Sequence, residues 1–272
     1  MANAAETAFI VYDTESVVDA ALLGRVLYPG EALPPGEALD RARKESLDAT
    51  DGASDFVAVS FHVPVSISVA RVGADFRLLD IAALDGPRFD PQRMVSLFWR
   101  GIDRYRSAVL VDFNGRGFDI PLLTLAAFRF GIPCRTYFGD PDRFGFRYRF
   151  TAKHVDLLEW MTEYGAFRLK GGLDLLAKML GKPGKMGTRG GKVEELYRAG
   201  SLQAISDYCT QDVLDTYFIF LRTRVLTGEL SLEEEQRVVA DARKWLGSRA
   251  ETQPGLRPYL ESFGTWSGVP FV

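Results

Sequence analysis

Two pairs of side chains in this sequence have the types and spacing of a divalent-metal site. Tyr208 and Asp212 are four residues apart in a helical pattern, so both project from one face of the helix. Asp13 and Glu15 are two residues apart at the end of a β-branched and aromatic run, and a strand places such residues on one face. Two carboxylates this close repel each other unless a cation lies between them. The acids would supply ligand oxygens, and the Tyr208 hydroxyl could direct a water molecule.

A third acid, Asp119, stands where a predicted strand gives way to a predicted helix. The strand pattern spans 108–113, the connection reads Asn-Gly-Arg-Gly-Phe, and the helical pattern spans 120–130. Ligand sites in α/β folds lie at such carboxyl ends of strands. Gly115 and Gly117 in the connection would let a substrate approach the backbone closely. Asp119 therefore joins the two pairs as a candidate ligand.

Each of these features also has an ordinary structural interpretation. Asp119 is well placed to cap the helix that follows it, because a carboxylate accepts backbone N–H groups at a helix start. Asp13 and Glu15 could be a strand end that runs into solvent. Tyr208 and Asp212 could be a half-buried aromatic ring and a solvated acid. The metal site is favoured because one fold can bring all three groups together.

The hydrophobic periodicity predicts the elements that must position these acids. Strands are predicted over 8–13, 63–72, 76–84 and 108–113, with a fifth ending near Asp156. The first three form an antiparallel meander, and Asp156 is expected to cap a helix. Helices are predicted over 37–47, 91–105, 120–130, 171–180, 193–200, 201–225 and 230–246.

The pattern divides the chain into a large domain at 1–226 and a C-terminal part at 227–272. The C-terminal part consists of a helix and an irregular tail packed on the domain. The large domain contains an insertion at 17–60, with Gly and Pro punctuation and one charged helix. This insertion is either a lid beside the site or a plain surface excursion.

Two basic segments could contact nucleic acid. The aromatic–basic segment, residues 134–152, interleaves Arg with Phe and Tyr and is followed directly by Lys153. In a single-stranded track, such cations meet phosphates and such rings stack on bases, but an edge strand with buried aromatic residues has the same composition. Residues 181–192 carry four positive charges and no acid, which suits a phosphate backbone. A mobile solvated loop is the alternative there.

The composition argues against several classes of protein. The net charge of −3 is unlike that of a protein that coats DNA electrostatically, although it is compatible with a local basic patch. Two Cys and two His, with no CxxC spacing, are too few for a usual zinc enzyme. The chain opens with no signal-peptide pattern and has no run of about 18 apolar residues. We therefore expect a cytoplasmic protein with reduced thiols and no membrane partner.

Three motifs in this order resemble the DEDD superfamily of 3′–5′ exonucleases, in its tyrosine-containing DEDDy branch. They are Asp13-Thr14-Glu15, Asn114-Gly115-Arg116-Gly117-Phe118-Asp119 and Tyr208-Cys209-Thr210-Gln211-Asp212. The similarity is nearest to the proofreading domain of family-B DNA polymerases, specifically its bacterial stand-alone relatives. It covers about residues 8–226, so residues 1–226 would be the exonuclease domain. The resemblance implies an α/β fold of the ribonuclease-H-like type, with a five-stranded mixed sheet flanked by helices.

The resemblance also implies the chemistry of the site. Two divalent ions, Mg²⁺ or Mn²⁺, would activate a water molecule and stabilise the leaving 3′ oxygen. Asp13 would bridge the ions, with Glu15 and Asp212 completing the first. Asp119 would reach the second, partly through water, and Tyr208 would orient the attacking water. The terminal nucleotide would be held by Thr14, Asn114, Gly115, Phe118 and Tyr208.

The expected function is therefore a metal-dependent 3′–5′ exonuclease that hydrolyses single-stranded nucleic acid and releases nucleoside 5′-monophosphates. DNA is the favoured substrate. Two alternatives stay open: a non-catalytic nucleic-acid-binding module with the same fold, and an exoribonuclease directed at RNA or small oligonucleotides. The sequence does not determine whether a protein partner takes part.

Overall fold

A computed structural model describes residues 6–139, 145–186 and 190–264 of the chain. Its strands are β1 (Thr7–Val18), β2 (His62–Gly73), β3 (Leu78–Ala83), β4 (Val109–Asp112) and β5 (His154–Asp156). They form one five-stranded sheet in the order β3-β2-β1-β4-β5. The β1–β2 and β2–β3 pairs are antiparallel, as in the predicted meander, whereas the β1–β4 and β4–β5 pairs are parallel.

Helices flank both faces of this sheet. They are α1 (Ala20–Leu27), α2 (Pro35–Ala49), α3 (Pro91–Arg104), α4 (Asp119–Phe130), α5 (Arg135–Gly139), α6 (Leu157–Met161), α7 (Gly172–Met179), α8 (Gly190–Arg198), α9 (Leu202–Leu226), α10 (Leu232–Arg249) and α11 (Arg257–Glu261). The predicted α/β architecture, a mixed sheet flanked by helices, is confirmed. Within the described part of the chain, no helix has both the length and the apolar character needed to cross a membrane.

The central strand β1 separates two hydrophobic cores. Ile10 and Tyr12 belong to the core under α3 and α4, whereas Val11 belongs to the core that contains α9 and α10. This alternation follows from the two-residue period of a strand. The same period places Asp13 and Glu15 on the side of α9, so the strand itself directs both carboxylates towards one helix.

The helix α9 is buried along most of its 25 residues. It contacts β1 and β2 on one side and α7, α8 and α10 elsewhere on its surface. A helix that is covered on several sides has little amphipathic character, which accounts for the apolar run at 217–221. The Tyr217 hydroxyl donates to the carbonyl of Phe76 at 2.8 Å and fixes the helix against the β2–β3 turn.

The insertion is more ordered than the sequence predicts. β1 continues to Val18, because β2 pairs with it as far as His62, and an unpredicted helix, α1, follows. This helix packs on α2 around Leu23 and Leu39, in a small core of its own. A helix of 8 residues is not stable alone. It therefore depends on a tertiary contact that periodicity does not reveal, whereas the predicted helix over 37–47 is confirmed as part of α2.

The C-terminal part packs against α9. Where the sequence predicts an irregular tail, a 3₁₀ turn at Pro254–Leu256 leads into α11. Tyr259 is buried there, and its hydroxyl donates to Asp215 Oδ1 at 2.7 Å. Tertiary contacts, rather than local propensity, order this segment. The predicted tail beyond it, residues 265–272, lies outside the described residues.

The connection from β4 to α4 is held by two buried carboxylates. Asp156 caps α6, as predicted, and also accepts the backbone N–H groups of Asn114 and Arg116 at 2.9 and 3.1 Å. Asp112 accepts the N–H of Gly115 at 3.0 Å. Asn114 has a left-handed backbone with φ of 68°, which Asn tolerates better than most residues. These bonds fix the turn from which α4 starts.

Asp112 in turn is held by two neighbouring strands. The Tyr12 hydroxyl of β1 and His154 Nε2 of β5 each lie 2.5 Å from Asp112 Oδ2. All three side chains are buried. A buried carboxylate is tolerated when hydrogen bonds satisfy it, and removing its partners is costly. This network anchors the connection beneath Asn114, and neither Tyr12 nor Asp112 was singled out from the sequence.

We predict that Gly115→Ala destabilises the protein by about 1–3 kcal/mol, the usual cost of overpacking. A Cβ at this position would overlap the Asp112 carboxylate. The matched control is Gly101→Ala in α3, where a Cβ meets no atom within 4 Å. That control should stabilise the helix by about 0.5–1 kcal/mol. Denaturant unfolding measures both, and equal free energies for the two variants would contradict the prediction.

Candidate active site

Three acids from two elements converge at the end of β1. Asp13 and Glu15 from the strand and Asp212 from α9 each offer a ligand oxygen, and these oxygens all lie within 4.8 Å of one another. Asp212 is buried and the other two are half-buried. The structure thus brings together three of the four carboxylates that the sequence singled out.

Small side chains on β2 allow α9 to approach so closely. Ser66 and Ser68 stand opposite Glu15 and Asp13 in the antiparallel pair, and Ser68 Oγ lies 3.0 Å from Thr210 Oγ1 of α9. On the same helix, the Cys209 thiol donates to the Asp13 carbonyl at 3.3 Å. These contacts set the position of α9, and therefore of Asp212, against β1. Both cysteines of the protein are free thiols.

Asp119 approaches from the opposite face of the sheet. Thr14, which alternates with Asp13 along β1, donates its hydroxyl to Asp119 Oδ1 at 2.5 Å. Asp119 is the first residue of α4, and Phe118 occupies the N-cap position without a side-chain hydrogen bond. The alternative in which Asp119 caps α4 is therefore wrong. Asp119 stands outside the three-acid group, but its charge raises the pKa of both Asp13 and Glu15.

Burial and mutual repulsion disfavour negative charge in this cluster. Enclosure raises the pKa of Asp13 and Glu15 well above their usual values, and the neighbouring carboxylates raise each further. Burial also raises the pKa of Asp119 to about 7 and that of Asp212 to about 6. A divalent cation would relieve this repulsion, and carboxylate oxygens are the donors that hard cations prefer. The donor set therefore fits a metal site.

Tyr208 lies one turn before Asp212 on α9 and is buried. Burial, and next the charge of Asp212, raise the pKa of its phenol. Hydrogen bonding from Tyr208 lowers the pKa of Asp212. The phenol therefore keeps its proton and remains a hydrogen-bond donor beside the acids.

Two lysines of the basic loop at 181–192, Lys182 and Lys185, have different surroundings. Lys182 is 5% exposed, and its ammonium group lies 3.9 Å from the centre of the Phe263 ring, so this charge does not face a substrate. Lys185 is exposed, and its charge lowers the pKa of Glu15 and Asp212. Nothing in the sequence distinguishes the two lysines. Residues 187–189 of this loop lie outside the described chain.

The residues expected to hold a nucleotide have unequal access to the site. Asn114 is exposed and Phe118 is half-buried. Gly115 is buried and required by the adjacent Asp112 carboxylate, so the predicted reason for this glycine, close approach of a substrate, is corrected. The Thr14 hydroxyl is engaged by Asp119 and Thr14 is buried, so its side chain is not available to hold a nucleotide.

The described part of the aromatic–basic segment agrees partly with each of its two predicted interpretations. Phe146 is buried in the core, but no strand occurs in the described part of the segment. Tyr148 and Phe150 are exposed and continue to the exposed Tyr164, with ring centres 5.9 and 5.0 Å apart in turn. Residues 140–144, including one predicted Arg–Phe pair, lie outside the described chain. An exposed row of rings is thus present where the sequence predicted a track.

The fold and the acids together define a class of protein. A five-stranded mixed sheet with carboxylates on its first strand and on a late helix is the architecture of ribonuclease-H-like exonucleases. Residues 54–263 match a family model described as a predicted 3′–5′ exonuclease related to the exonuclease domain of PolB, and the chain belongs to that family. The resemblance inferred from the three motifs is confirmed. No curated protein matches the chain.

The family match and the geometry of the site account for different acids. The range includes Asp119 and the α9 residues Tyr208 and Asp212, and it extends through α10 and α11. It begins after β1, so Asp13 and Glu15 are outside it. These two acids nevertheless lie against Asp212 in the fold. Their place in the site therefore follows from the structure and not from the family match.

The raised pKa values predict how the metal-free protein responds to pH. Because the folded acids hold protons more tightly than the unfolded chain, the free energy of unfolding should fall as pH rises from about 4 to about 7. Mn²⁺ or Mg²⁺ should reverse this loss and raise the melting temperature by several degrees near neutral pH. Thermal unfolding with and without a chelator tests this, and Asp212→Asn should reduce both effects. A pH-independent melting temperature in chelator would contradict the prediction.

Proposed function

We propose that this protein is a metal-dependent 3′–5′ exonuclease that acts on single-stranded nucleic acid, with DNA favoured, and releases nucleoside 5′-monophosphates. The observation that carries the proposal is the three-acid cluster at the junction of β1 and α9. Membership of a family of predicted 3′–5′ exonucleases supports it. The buried acids have no evident structural purpose, since their mutual repulsion opposes folding.

The proposed metal ligands are the carboxylates of Asp13, Glu15, Asp119 and Asp212, holding two Mg²⁺ or Mn²⁺ ions. When bound, such ions supply Lewis-acid stabilisation of the developing charge and activate water as a nucleophile. The protein contributes the fixed positions of the acids: β1 orients Asp13 and Glu15, and packing fixes Asp212 opposite them. Asp119 is held in place by the hydroxyl of Thr14.

Two further side chains are assigned roles around these acids. Tyr208 retains its proton beside Asp212, so its hydroxyl would donate to the water that attacks phosphorus and orient it. Lys185 provides positive charge next to Glu15 and Asp212, so it would pair with a phosphate oxygen of the substrate. The terminal nucleotide would contact the Thr14 backbone, Asn114, Phe118 and Tyr208, with Gly115 shaping the turn.

The exposed rings support an unpaired substrate. Tyr148, Phe150 and Tyr164 form a row, and the Arg149 guanidinium lies 5.9 Å from the centre of the Tyr164 ring. Rings stack on any unpaired base and cations meet the backbone, which gives binding without sequence preference. Arg116, in the connection between β4 and α4, donates from Nη2 to the carbonyl of Tyr148 at 3.4 Å.

We assign residues 1–226 to the exonuclease domain, with the insertion at 17–60, and residues 227–272 to a C-terminal brace. Polar links between side chains of the brace and α9 include the following two. Tyr259 donates to Asp215, and Arg222 pairs with Glu235 at 3.2 Å. Both links support the helix that carries Asp212.

We predict that Asp212→Asn lowers hydrolysis by several orders of magnitude, because a neutral amide is a poor ligand for a hard divalent ion. Tyr208→Phe should lower it by only about 10–100-fold, the usual effect of losing a group that supports a ligand. The matched control is Asp207→Asn, an acid of the same helix that bonds Gln203 instead of the cluster. Release of labelled nucleotide with Mg²⁺ or Mn²⁺ measures all three, and full turnover by Asp212→Asn would overturn the assignment.

The decisive experiment uses 5′-labelled single-stranded DNA and RNA of one sequence, with Asp13→Ala as the inactive control. A ladder shortened from the 3′ end, absent with Asp13→Ala, establishes the exonuclease and shows which sugar it prefers. A ladder on RNA or on very short strands alone would favour the exoribonuclease. Binding without cleavage by the folded protein, in either metal, would favour the non-catalytic module.

The row of exposed rings generates a separate prediction. Replacing Tyr148 and Phe150 together with Ala should raise KM for single-stranded DNA at least about 10-fold, since stacking contributes about 1–3 kcal/mol per base. The rate at saturation should change little. The control is Leu226→Ala, which truncates an exposed apolar side chain at the C-terminal end of α9. An unchanged KM in the double variant would remove these rings from the binding surface.

A further inference from the structure

Three aromatic rings from separate segments meet beside the acidic cluster. Phe56 belongs to the end of the insertion, His62 opens β2, and Phe118 precedes Asp119. The Phe56 ring centre lies 5.4 Å from that of His62 and 6.1 Å from that of Phe118, and His62 and Phe118 are 5.9 Å apart. All three line one cavity of about 210 Å³ that also includes Glu15. The three rings and Glu15, one of the proposed metal ligands, therefore line the same cavity.

The His62 ring is fixed in orientation and neutral. Its Nε2 lies 3.0 Å from the carbonyl of Val57, which can only accept, so Nε2 carries the proton. Its Nδ1 lies 2.9 Å from Ser16 Oγ and accepts from that hydroxyl. Burial, the largest influence, lowers the pKa of His62. Both ring nitrogens thus have hydrogen-bond partners. The imidazole can therefore act only as a flat ring that supports Phe56.

Phe56 is anchored through its backbone while its ring stays accessible. Ser46 of α2 donates its hydroxyl to the Phe56 carbonyl at 2.8 Å, and the next residue, Val57, is buried in the small core of the insertion. The Phe56 ring is 52% exposed. A large apolar ring held at the mouth of a polar site, with one face open, has the form of a stacking surface.

We infer that Phe56, supported by His62, stacks on the base next to the 3′-terminal one, while Phe118 contacts the terminal nucleotide. This inference rests on the proposed function. The cavity is smaller than the about 300–1,000 Å³ of a whole-ligand pocket, so it accommodates part of a strand. The insertion at 17–60 thereby becomes a substrate-selecting element of the exonuclease.

The spacing of the rings explains how this element selects an unpaired end. Phe56 and Phe118 are 6.1 Å apart, whereas successive nucleotides of a duplex strand rise by about 3.4 Å. The two ring planes are also inclined by 57°, so two consecutive bases that each lie flat on one ring cannot stay stacked on each other. A base-paired end would have to break both pairing and stacking to do so, whereas a single strand pays only the smaller cost of unstacking.

Binding measured without cleavage tests the inference directly. In an Asp212→Asn background with Mg²⁺, Phe56→Ala should weaken binding of a short single-stranded DNA about 10-fold, and Phe56→Trp should restore it. Phe128→Ala is the matched control, because Phe128 is an exposed ring on α4 that takes no part in this cavity. A fluorescent purine analogue next to the 3′ end should be quenched by the parent and by Phe56→Trp but not by Phe56→Ala. Unchanged affinity and quenching in Phe56→Ala would overturn the inference.

Removing single bases from the DNA tests the register. If the base next to the terminal one stacks on Phe56, an abasic site there should abolish the difference between Phe56→Ala and its parent. An abasic site at the terminal position should leave that difference intact. The inference would be overturned by the reverse pattern, or by a difference in affinity between Phe56→Ala and its parent that does not depend on either abasic site. These measurements need no hydrolysis, so a failed cleavage assay would reject the proposed function and leave this test readable.

Discussion

Repulsion among buried carboxylates is the constraint on which the rest of this structure depends. Asp13, Glu15 and Asp212 are held with ligand oxygens within 4.8 Å of one another, at a cost that burial increases. The fold meets this cost with apolar packing: α9 is buried against the sheet and its neighbouring helices, and β1 lies at the centre of the sheet. The packing of β1 and α9 therefore holds the acids in a fixed arrangement, and this is the arrangement that we propose for a cation site.

A second buried network serves the other face of β1. Asp112 joins three adjacent strands by accepting from Tyr12 and His154 and bonding the connection at Gly115. Because α4 begins directly after that connection, its first residue, Asp119, comes to lie against Thr14. Alternate residues of one strand thus organise the site from opposite sides. Asp13 and Glu15 supply their own carboxylates, whereas Tyr12 and Thr14 hold Asp112 and Asp119 in place.

The sequence predicts this site well where spacing dictates geometry. A spacing of two residues on a strand and of four on a helix was sufficient to pair Asp13 with Glu15 and Tyr208 with Asp212. The mixed sheet was implied by the resemblance to the exonuclease family. Tertiary packing determined what spacing could not show. Helix α1 exists through its contact with α2, and burial separates Lys182 from Lys185. Phe56 and His62 are brought beside Phe118 only by the fold, and no local pattern marks them.

The hydrogen bond between Tyr259 and Asp215 has a consequence for the order in which the molecule matures. Asp215 lies one turn beyond Asp212 on α9, and its partner is among the last described residues of the chain. During synthesis, α9 emerges from the ribosome before Tyr259, so a buried acid on that helix lacks its donor until α11 has been made. A chain that stops before Tyr259 would carry Asp212 on a helix that is not yet fully braced. Synthesis of α11 thus completes the support of the helix that carries Asp212.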